Sequence, residues 1–287
     1  MKVSGFTFLR NGSILGYPYV ESLRSLLSVC DEVVVAVGAS DDDTLERVRG
    51  IGDPRIRIIE TKWNEAMRTA GYVYAQQKMI AQFNCTGDWA FYLEGDEVIH
   101  EADAPMIRAA MEKHLHSPEV EALVFDYHHF YGCPSLVAKS PAWYRHAPRI
   151  IRNSIRSLAP DGLFWMIMDS NRRNRYPRGA MVGCPIYHYG HVRSIERMRE
   201  KHQQVSKYWN HTPKFNDYSQ IDATILRTFE GTHPEVVQDW LTECAEQNFH
   251  PDAAYRLSRR ELRHRALVKL EKLLGRDLTK KHYRLIA

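Results

Sequence analysis

No stretch of the 287-residue chain approaches the roughly 20 consecutive apolar residues that a helix needs to cross a bilayer. The short apolar run at the N-terminus meets Arg10 and Asn11 too soon for a secretory signal, so neither secretion nor membrane spanning is expected. The five cysteines, Cys30, Cys85, Cys133, Cys184 and Cys244, are odd in number, and no two form a CxxC pair. That spacing speaks against a disulfide framework or a zinc knuckle and for reduced thiols in a cytosolic protein. Internal repeats and low-complexity tracts are missing, as is a glycine-rich, basic phosphate loop after the first apolar run. A 44% hydrophobic and 26% charged composition excludes a disordered or fibrous chain. The formal charge of +4 suits an acidic substrate or an anionic surface without requiring nucleic acid.

The first hundred residues alternate between short β-rich runs and helical patterns, the signature of parallel βαβ units. Strands are expected at Val3 to Leu9, Val33 to Val37, Ile56 to Ile59 and Trp89 to Leu93. Helices are expected over Tyr19 to Val29, from about Asp43, and over Tyr72 to Phe83. Gly52-Asp53-Pro54 marks the turn before the third strand. Beyond Glu97 the spacing predicts a helix near Pro105 to His114 and a strand at Ala122 to Phe130. A stretch rich in Pro, Gly, Arg and aromatics follows to Pro185 and suits substrate-binding loops and mixed strands. From Ile195 the pattern is helical, ending in a basic helix over Ser258 to Leu274. The expected organisation is a domain over 1–194, with a nucleotide-binding half (1–100) and an acceptor half (101–194), followed by a helical extension over 195–287.

Chemistry concentrates at strand ends. Glu94-Gly95-Asp96-Glu97 follows a strand directly, and two carboxylates flanking a glycine can both turn toward one hard cation that bridges a diphosphate. The same residues also read as a solvated acidic turn. Ser40-Asp41-Asp42-Asp43-Thr44 follows the second strand and reads equally as a helix cap. With Arg10-Asn11-Gly12 after the first strand, three successive strand ends carry polar loops, the arrangement of a nucleotide crevice. The run Trp143 to Arg152 offers guanidinium groups, Arg145 and Arg149 among them, beside aromatic rings. It suits phosphate binding or sugar stacking, or else forms a solvated strand face. His188 lies in an aromatic segment after an expected loop, as a structural histidine or a ligand.

Phe8-Leu9-Arg10-Asn11, Tyr19 to Leu26, Glu32 to Val35 leading into Ser40 to Thr44, and Gly87-Asp88-Trp89 before Glu94-Gly95-Asp96-Glu97 together resemble family 2 glycosyltransferases of the GT-A fold. The resemblance covers about residues 2 to 100, and His188-Tyr189-Gly190-His191 is similar to a later histidine-bearing segment of those enzymes. It implies an α/β fold with a GT-A-like, Rossmann-type mixed sheet flanked by helices and a helical C-terminal extension. It also implies transfer of a sugar from a nucleotide-diphospho-sugar to a glycan or glycolipid, with inversion, and a divalent metal, Mn or Mg. On this resemblance Leu9, Arg10, Asn11, Ser40 and Asp42 would hold base and ribose, Gln77 and Lys78 would face the nucleotide, Glu94 would reach the cation or a sugar hydroxyl, and Asp96 and His188 would bind metal. Val37 stands where the family has an aspartate, and Glu94 where it has the first aspartate of its acidic motif, which leaves the base open.

An inverting transfer needs a carboxylate to deprotonate the acceptor, and Asp161 in the turn Pro160-Asp161-Gly162 is the first candidate, with Asp126 and Asp169 as competitors. The C-terminal helix sets Leu262, Leu267, Leu270, Leu273 and Leu274 against many basic residues. It is read either as packing on the core or as lying on an anionic membrane, with the protein cytoplasmic and peripheral at the inner face. A sugar nucleotidylyltransferase and an inactive membrane-peripheral scaffold of the same fold are the rival readings.

Overall fold

The computed structural model describes residues 1–171, 173–209, 217–244 and 249–286. In chain order the elements are β1 (Val3–Leu9), α1 (Tyr19–Leu27), β2 (Glu32–Gly38), α2 (Thr44–Gly50), β3 (Ile56–Thr61), α3 (Tyr72–Phe83), β4 (Trp89–Tyr92), β5 (Glu97–Val98) and α4 (Ala104–Lys113). Strands β6 (Ala122–Tyr131), β7 (Cys133–Ala138), β8 (His146–Arg152), β9 (Ser157–Leu158), β10 (Met166–Met168), β11 (Asn174–Arg175) and β12 (Arg178–His191) follow. The C-terminal region adds α5 (Ile195–Ser206), β13 (Leu226–Thr228), α6 (Gln238–Cys244), α7 (Arg259–Leu274) and β14 (Arg284–Leu285).

Strand β2 shows why a parallel sheet forms. Val33, Val35 and Val37 enter one hydrophobic cluster, with Leu23 and Leu26 of α1, while Val34 and Ala36 enter the cluster on the other face. A strand apolar on both faces must be covered on both, and helices on either side do so. Strands β3-β2-β1-β4 lie parallel in that order, and β4 then pairs antiparallel with β8, and β8 with β6. The described residues make one mixed sheet of eleven strands flanked by helices and one small three-stranded sheet. Because β2 and β4 flank β1 on opposite sides, the carboxyl ends of β1 and β4 border a topological switch point, the usual ligand crevice of such sheets.

Two expectations change. His188 lies inside the long strand β12, not in a segment after a loop; a register shift between Met181 and Pro185 interrupts the strand and hides its alternation. The extension is helical in α5, α6 and α7 yet also supplies β13 and β14, which pair with β7 and β12 of the main sheet. Leu262, Leu270, Leu273 and Leu274 of α7 are exposed, so the helix does not use that stripe for core packing. No helix of the described residues is long and apolar enough to cross a membrane.

The edge opposite the crevice is clamped by Glu32. Its Oε1 accepts from Ser4 Oγ (2.5 Å), Thr86 N (2.8 Å) and Thr86 Oγ1 (2.7 Å), tying the starts of β1 and β2 to the loop before β4. Burial alone would raise this carboxyl, but the Ser4 and Thr86 hydrogen bonds outweigh it and hold the pKa at about 2. A depressed carboxylate stabilises the fold above its unfolded pKa of about 4.3 and loses that contribution as pH falls toward 2. Glu32→Gln is therefore expected to lower stability at neutral pH by roughly 2 kcal/mol after solvent screening. Urea unfolding across this acid range should show the variant with a flatter pH dependence than the natural chain.

Candidate functional site

A cavity of about 280 Å³ opens at the switch point, between the ends of β1 and β4 and under α5. Aromatic rings form much of its wall: Phe8, Trp63, Tyr74, Tyr92, Tyr208 and Trp209. Trp63 lies against the backbone of Gly38, where a Cβ would come within 2.4 Å of the indole nitrogen, so the end of β2 must be glycine for that wall to form. Such a cage suits a planar base and a sugar ring.

The acidic turn after β4 is built around a buried ion pair. Glu97 is fully buried and accepts from Arg149 Nε (2.8 Å) and Nη2 (2.6 Å), from the Tyr127 hydroxyl (2.8 Å) and from the Glu94 amide (3.1 Å). Arg149 Nη2 also reaches Glu94 Oε1 at 2.9 Å. Glu97 and Arg149 are thereby committed to each other, and Glu94 and Asp96 line the cavity. Burial, then the like charges of Glu97 and Asp96, pushes the Glu94 carboxyl up to about 7.

Asp96 takes the opposite course. Burial would raise its pKa, but the Lys201 ammonium and the Arg193 guanidinium hold it below the usual carboxylate range. Lys201 Nζ lies 3.3 Å from Oδ2 and His188 Nε2 lies 3.7 Å from Oδ1. The backbone fixes this meeting: Tyr189 N donates to Asp96 O (2.8 Å), and β5 pairs with β12 so that His188 stands opposite Glu97. On its other side His188 is in register with His129 of β6.

That register determines a proton. His129 Nε2 lies 2.8 Å from the Tyr144 carbonyl, which only accepts, so Nε2 carries the hydrogen and Nδ1 of the neutral ring is bare. His188 Nδ1, 2.9 Å away, must then donate to it, which leaves His188 Nε2 as a bare lone pair turned toward Asp96 Oδ1. Burial lowers the pKa of both rings, consistent with neutral imidazoles. Two acceptors thus face each other with no proton between them, the arrangement that a cation relieves. Gly190 keeps the gap open, since a Cβ there would approach Nε2 to 2.5 Å and Asp96 Oδ2 to 2.9 Å. Among the described residues no group of three or more His, Cys, Asp or Glu side chains is placed to hold a metal. A cation at Asp96 and His188 would complete its shell from substrate oxygens, as magnesium commonly does.

The other expected residues divide. Leu9, Arg10 and Asn11 line the cavity, with Arg10 over the Trp63 ring (5.3 Å) and ion-paired to Glu65. Asn11, at φ 55°, donates to Asp41 (3.1 Å) and Gln204 (3.2 Å), joining the ends of β1 and β2 to α5. Ser40 accepts from Asn11 N, and Asp42 accepts from Ile14 N and Thr44 N; both brace the wall from behind it. Gln77 accepts from Thr61 Oγ1 (2.6 Å). Lys78 is buried between the rings of Tyr92 (3.8 Å) and Trp165 (4.1 Å) and donates to Leu163 O, so neither residue faces the cavity. Arg145 does not join the site either: it turns to Glu271 (2.6 Å) and Asp277 (3.1 Å), since it precedes β8 and strand alternation does not direct it. Asp161 Oδ1 accepts from Leu163 N (2.9 Å) and Phe164 N (3.3 Å), holding the turn whose Gly162 borders the cavity. Tyr144 lies in the aromatic run Trp143 to Arg152, whereas nothing in the sequence had singled out His129 and Lys201; for Lys201 the available signal was its spacing with Gln204 along one face of α5.

No protein-family model and no curated protein matches the chain. Among solved structures it is similar to residues 1–349 of S. aureus TarS, at 15% identity over 77% of this chain and 69% of that one, with a TM-score of 0.43. The same TarS region in complex with UDP aligns over 54% of this chain, which covers 47% of that one, at 19% identity and a TM-score of 0.39. Glucosyl-3-phosphoglycerate synthase from Mycobacterium tuberculosis, with Mn2+, UDP and phosphoglyceric acid, aligns at 17% identity over 44% of this chain and 43% of that one, with a TM-score of 0.29. In several of these comparisons the chain spans less than half of the neighbour's length.

Removing one partner of a buried ion pair leaves an uncompensated charge, a loss of about 3–5 kcal/mol. Arg149→Met is expected to lose that much in urea unfolding. Arg149→Met combined with Glu97→Gln should recover part of it, because no bare charge then remains.

Proposed function

We propose that the chain is a glycosyltransferase of the GT-A type, moving a sugar from a nucleotide-diphospho-sugar to a hydroxyl of a glycan or glycolipid, with inversion and with a divalent cation, manganese or magnesium. The observation that carries the reading is the pair of facing acceptors, Asp96 Oδ1 and His188 Nε2, at the floor of an aromatic cavity at the switch point of the sheet. Asp96 and His188 would hold the cation, which would neutralise charge on the departing diphosphate.

The remaining roles fall to the chain's own groups. The aromatic wall and Arg10 receive the base and ribose, and Lys201 brings a positive charge to the diphosphate side. Glu94 borders the cavity with a carboxyl raised to about 7, where it is both free enough to accept a proton and basic enough to hold it. We assign it the acceptor's proton in preference to Asp161, whose carboxylate is engaged by its own turn. Arg149 keeps Glu94 oriented.

Donor binding is tested by thermal stabilisation with a panel of nucleotide sugars, with and without manganese. Stabilisation should require the metal, and Asp96→Asn should abolish this metal-dependent stabilisation together with most turnover. Wild-type turnover by this variant in chelator would sink the metal assignment, and pyrophosphate release from a nucleoside triphosphate would replace sugar transfer by nucleotidyl transfer. His129→Ala removes the group that orients His188, so manganese affinity of the folded variant, read from the spin-resonance signal of free Mn2+, is expected to fall roughly 10- to 100-fold.

Glu94→Gln should lower kcat by at least about a hundredfold, within the usual range for loss of a general base. Asp161→Asn should mainly lower the melting temperature. The reverse pattern would return the base to Asp161.

A further inference from the structure

Helix α7 walls a second cleft. Glu261, His264, Arg265, Val268 and Lys272 recur every three or four residues, so one face of the helix turns toward β13 and the segment between β7 and β8. The cleft between them holds about 780 Å³ and shares no residue with the aromatic cavity. The helix residues that line it, Ser258 to Lys272, extend over about 21 Å at the helical rise per residue. Two ion pairs hold its walls together: Arg265 grips Asp222 at 2.6 and 2.7 Å, and Arg145 grips Glu271 at 2.6 Å.

The chemistry of the cleft is uneven along its length. Lys269 and Lys272 on the C-terminal half of α7, and Lys139 on the facing wall, have no carboxylate partner among the described residues. The N-terminal end carries an ionised acid instead. Burial would raise the Glu261 carboxyl, but hydrogen bonds from Ser258 and Tyr255 lower it. The two lysines of α7 stand about 12–16 Å further along the axis. Trp143 adds an aromatic platform, packed edge-on against Tyr131 (5.8 Å) and His191 (6.2 Å).

The cleft and the cavity open on the same face of the sheet. Strand β8 runs antiparallel to both β4 and β6, so β6 points the same way as β1 and β4, and His146 at the start of β8 pairs with Asp126 in the second half of β6. Trp143 stands just before that start, next to Tyr144, whose carbonyl fixes the His129 tautomer. A nucleic acid would meet Glu261 at one end and would find only Trp143 and the tethered Tyr255 where successive bases need a row of rings. A sugar chain stacks a ring face on indole and donates hydroxyls to a carboxylate, and any anionic groups it carries pair with ammonium groups.

We infer that this cleft binds an acidic glycan, the acceptor of the transfer proposed above, with a sugar ring on Trp143 and anionic groups on Lys139, Lys269 and Lys272. Its role as acceptor rests on the transferase reading; the affinity of the cleft for the glycan does not.

The test is calorimetry on the full chain without donor or metal. Oligogalacturonate should bind, and its fully methyl-esterified form, the same chain without charge, should bind at least about tenfold more weakly. Lys269→Glu with Lys272→Glu should weaken oligogalacturonate binding at least about tenfold and leave that of the ester unchanged. Melting curves should not move, since both lysines are exposed. Trp143→Leu should weaken both forms. Phosphorylated maltodextrin that binds more tightly than oligogalacturonate, with the same response to the lysine substitutions, supports the inference with phosphate as the anionic group. Equal affinity for oligogalacturonate and its ester, or binding of acidic glycans that the lysine pair leaves unchanged, overturns it. So does tighter binding of oligouridylate of matched length, which would give the cleft to a nucleic acid. If the glycan binds as expected while no nucleotide sugar stabilises the chain, the transferase reading fails and the cleft stands as an acidic-glycan site.

Discussion

The site depends on one buried ion pair. Arg149 and Glu97 are 1% and 0% exposed at their side chains and share two hydrogen bonds, so each makes tolerable a charge that the interior would otherwise reject. Arg149 comes from β8, antiparallel to β4, and Glu97 from the short strand β5 that follows β4, so the pair welds the two halves of the mixed sheet at the edge of the cavity. The weld also sorts the acidic residues. Glu97 is used up inside, Glu94 is left at the rim with one Arg149 nitrogen, and Asp96 turns to the far side. A motif of three acids within four residues becomes an anchor, a rim carboxyl raised to about 7 and an ionised floor, through burial and the placement of neighbouring cations.

The parallel half was legible because its signals are local. Strand β1 and helix α3 fall where two-residue alternation and helical spacing put them, and α7 starts one residue after its Ser258 cap, inside the expected range. The cavity wall from β1 and the carboxylates after β4 followed from strand ends alone. Where partners lie far apart in sequence, legibility failed. Lys78 sits on the inner face of α3, and nothing nearby reveals that Trp165 and Tyr92 will enclose it. Arg145 and Arg149 have the same chemistry four residues apart, yet one pairs with Glu271 of a distant helix and the other with Glu97. His129 carried no motif; its role exists only because β12 pairs parallel with β6 in a register that sets it beside His188.

These long-range contacts connect α7 to the floor of the site by a short path. Arg145, held by Glu271 of α7, is the chain neighbour of Tyr144, whose carbonyl fixes the His129 tautomer. The Tyr144 ring packs edge-on against both Tyr127 (4.7 Å between centroids) and His129 (4.9 Å). One segment before β8 therefore meets the helix on one side and the imidazole relay on the other, while its Tyr144 hydroxyl lies 3.3 Å from Arg149 Nη2. The residue that sequence placed in the donor site acts instead as the tie between the surface helix and the relay.

On the proposed reading, charge balance links the cation to the diphosphate. Around the acidic turn, Glu97 is neutralised by Arg149, and Asp96 is opposed by Lys201, with Arg193 adding positive charge from behind. Arg193 is itself buried, and among the described residues its Nε and Nη2 have no hydrogen-bond partner; its charge acts with that of Lys201 to keep Asp96 ionised. A bare divalent cation entering there meets Lys201 and Arg193 as repulsive neighbours, and a bare diphosphate meets Asp96 and Glu94. Each ligand removes the obstacle to the other, because the cation offsets the carboxylates for the phosphates and the phosphates offset the ammonium and guanidinium groups for the cation. On the proposed reading the electrostatics favour joint entry, and the His188 lone pair, held toward Asp96 by the hydrogen bond of its other nitrogen to His129, would serve the cation.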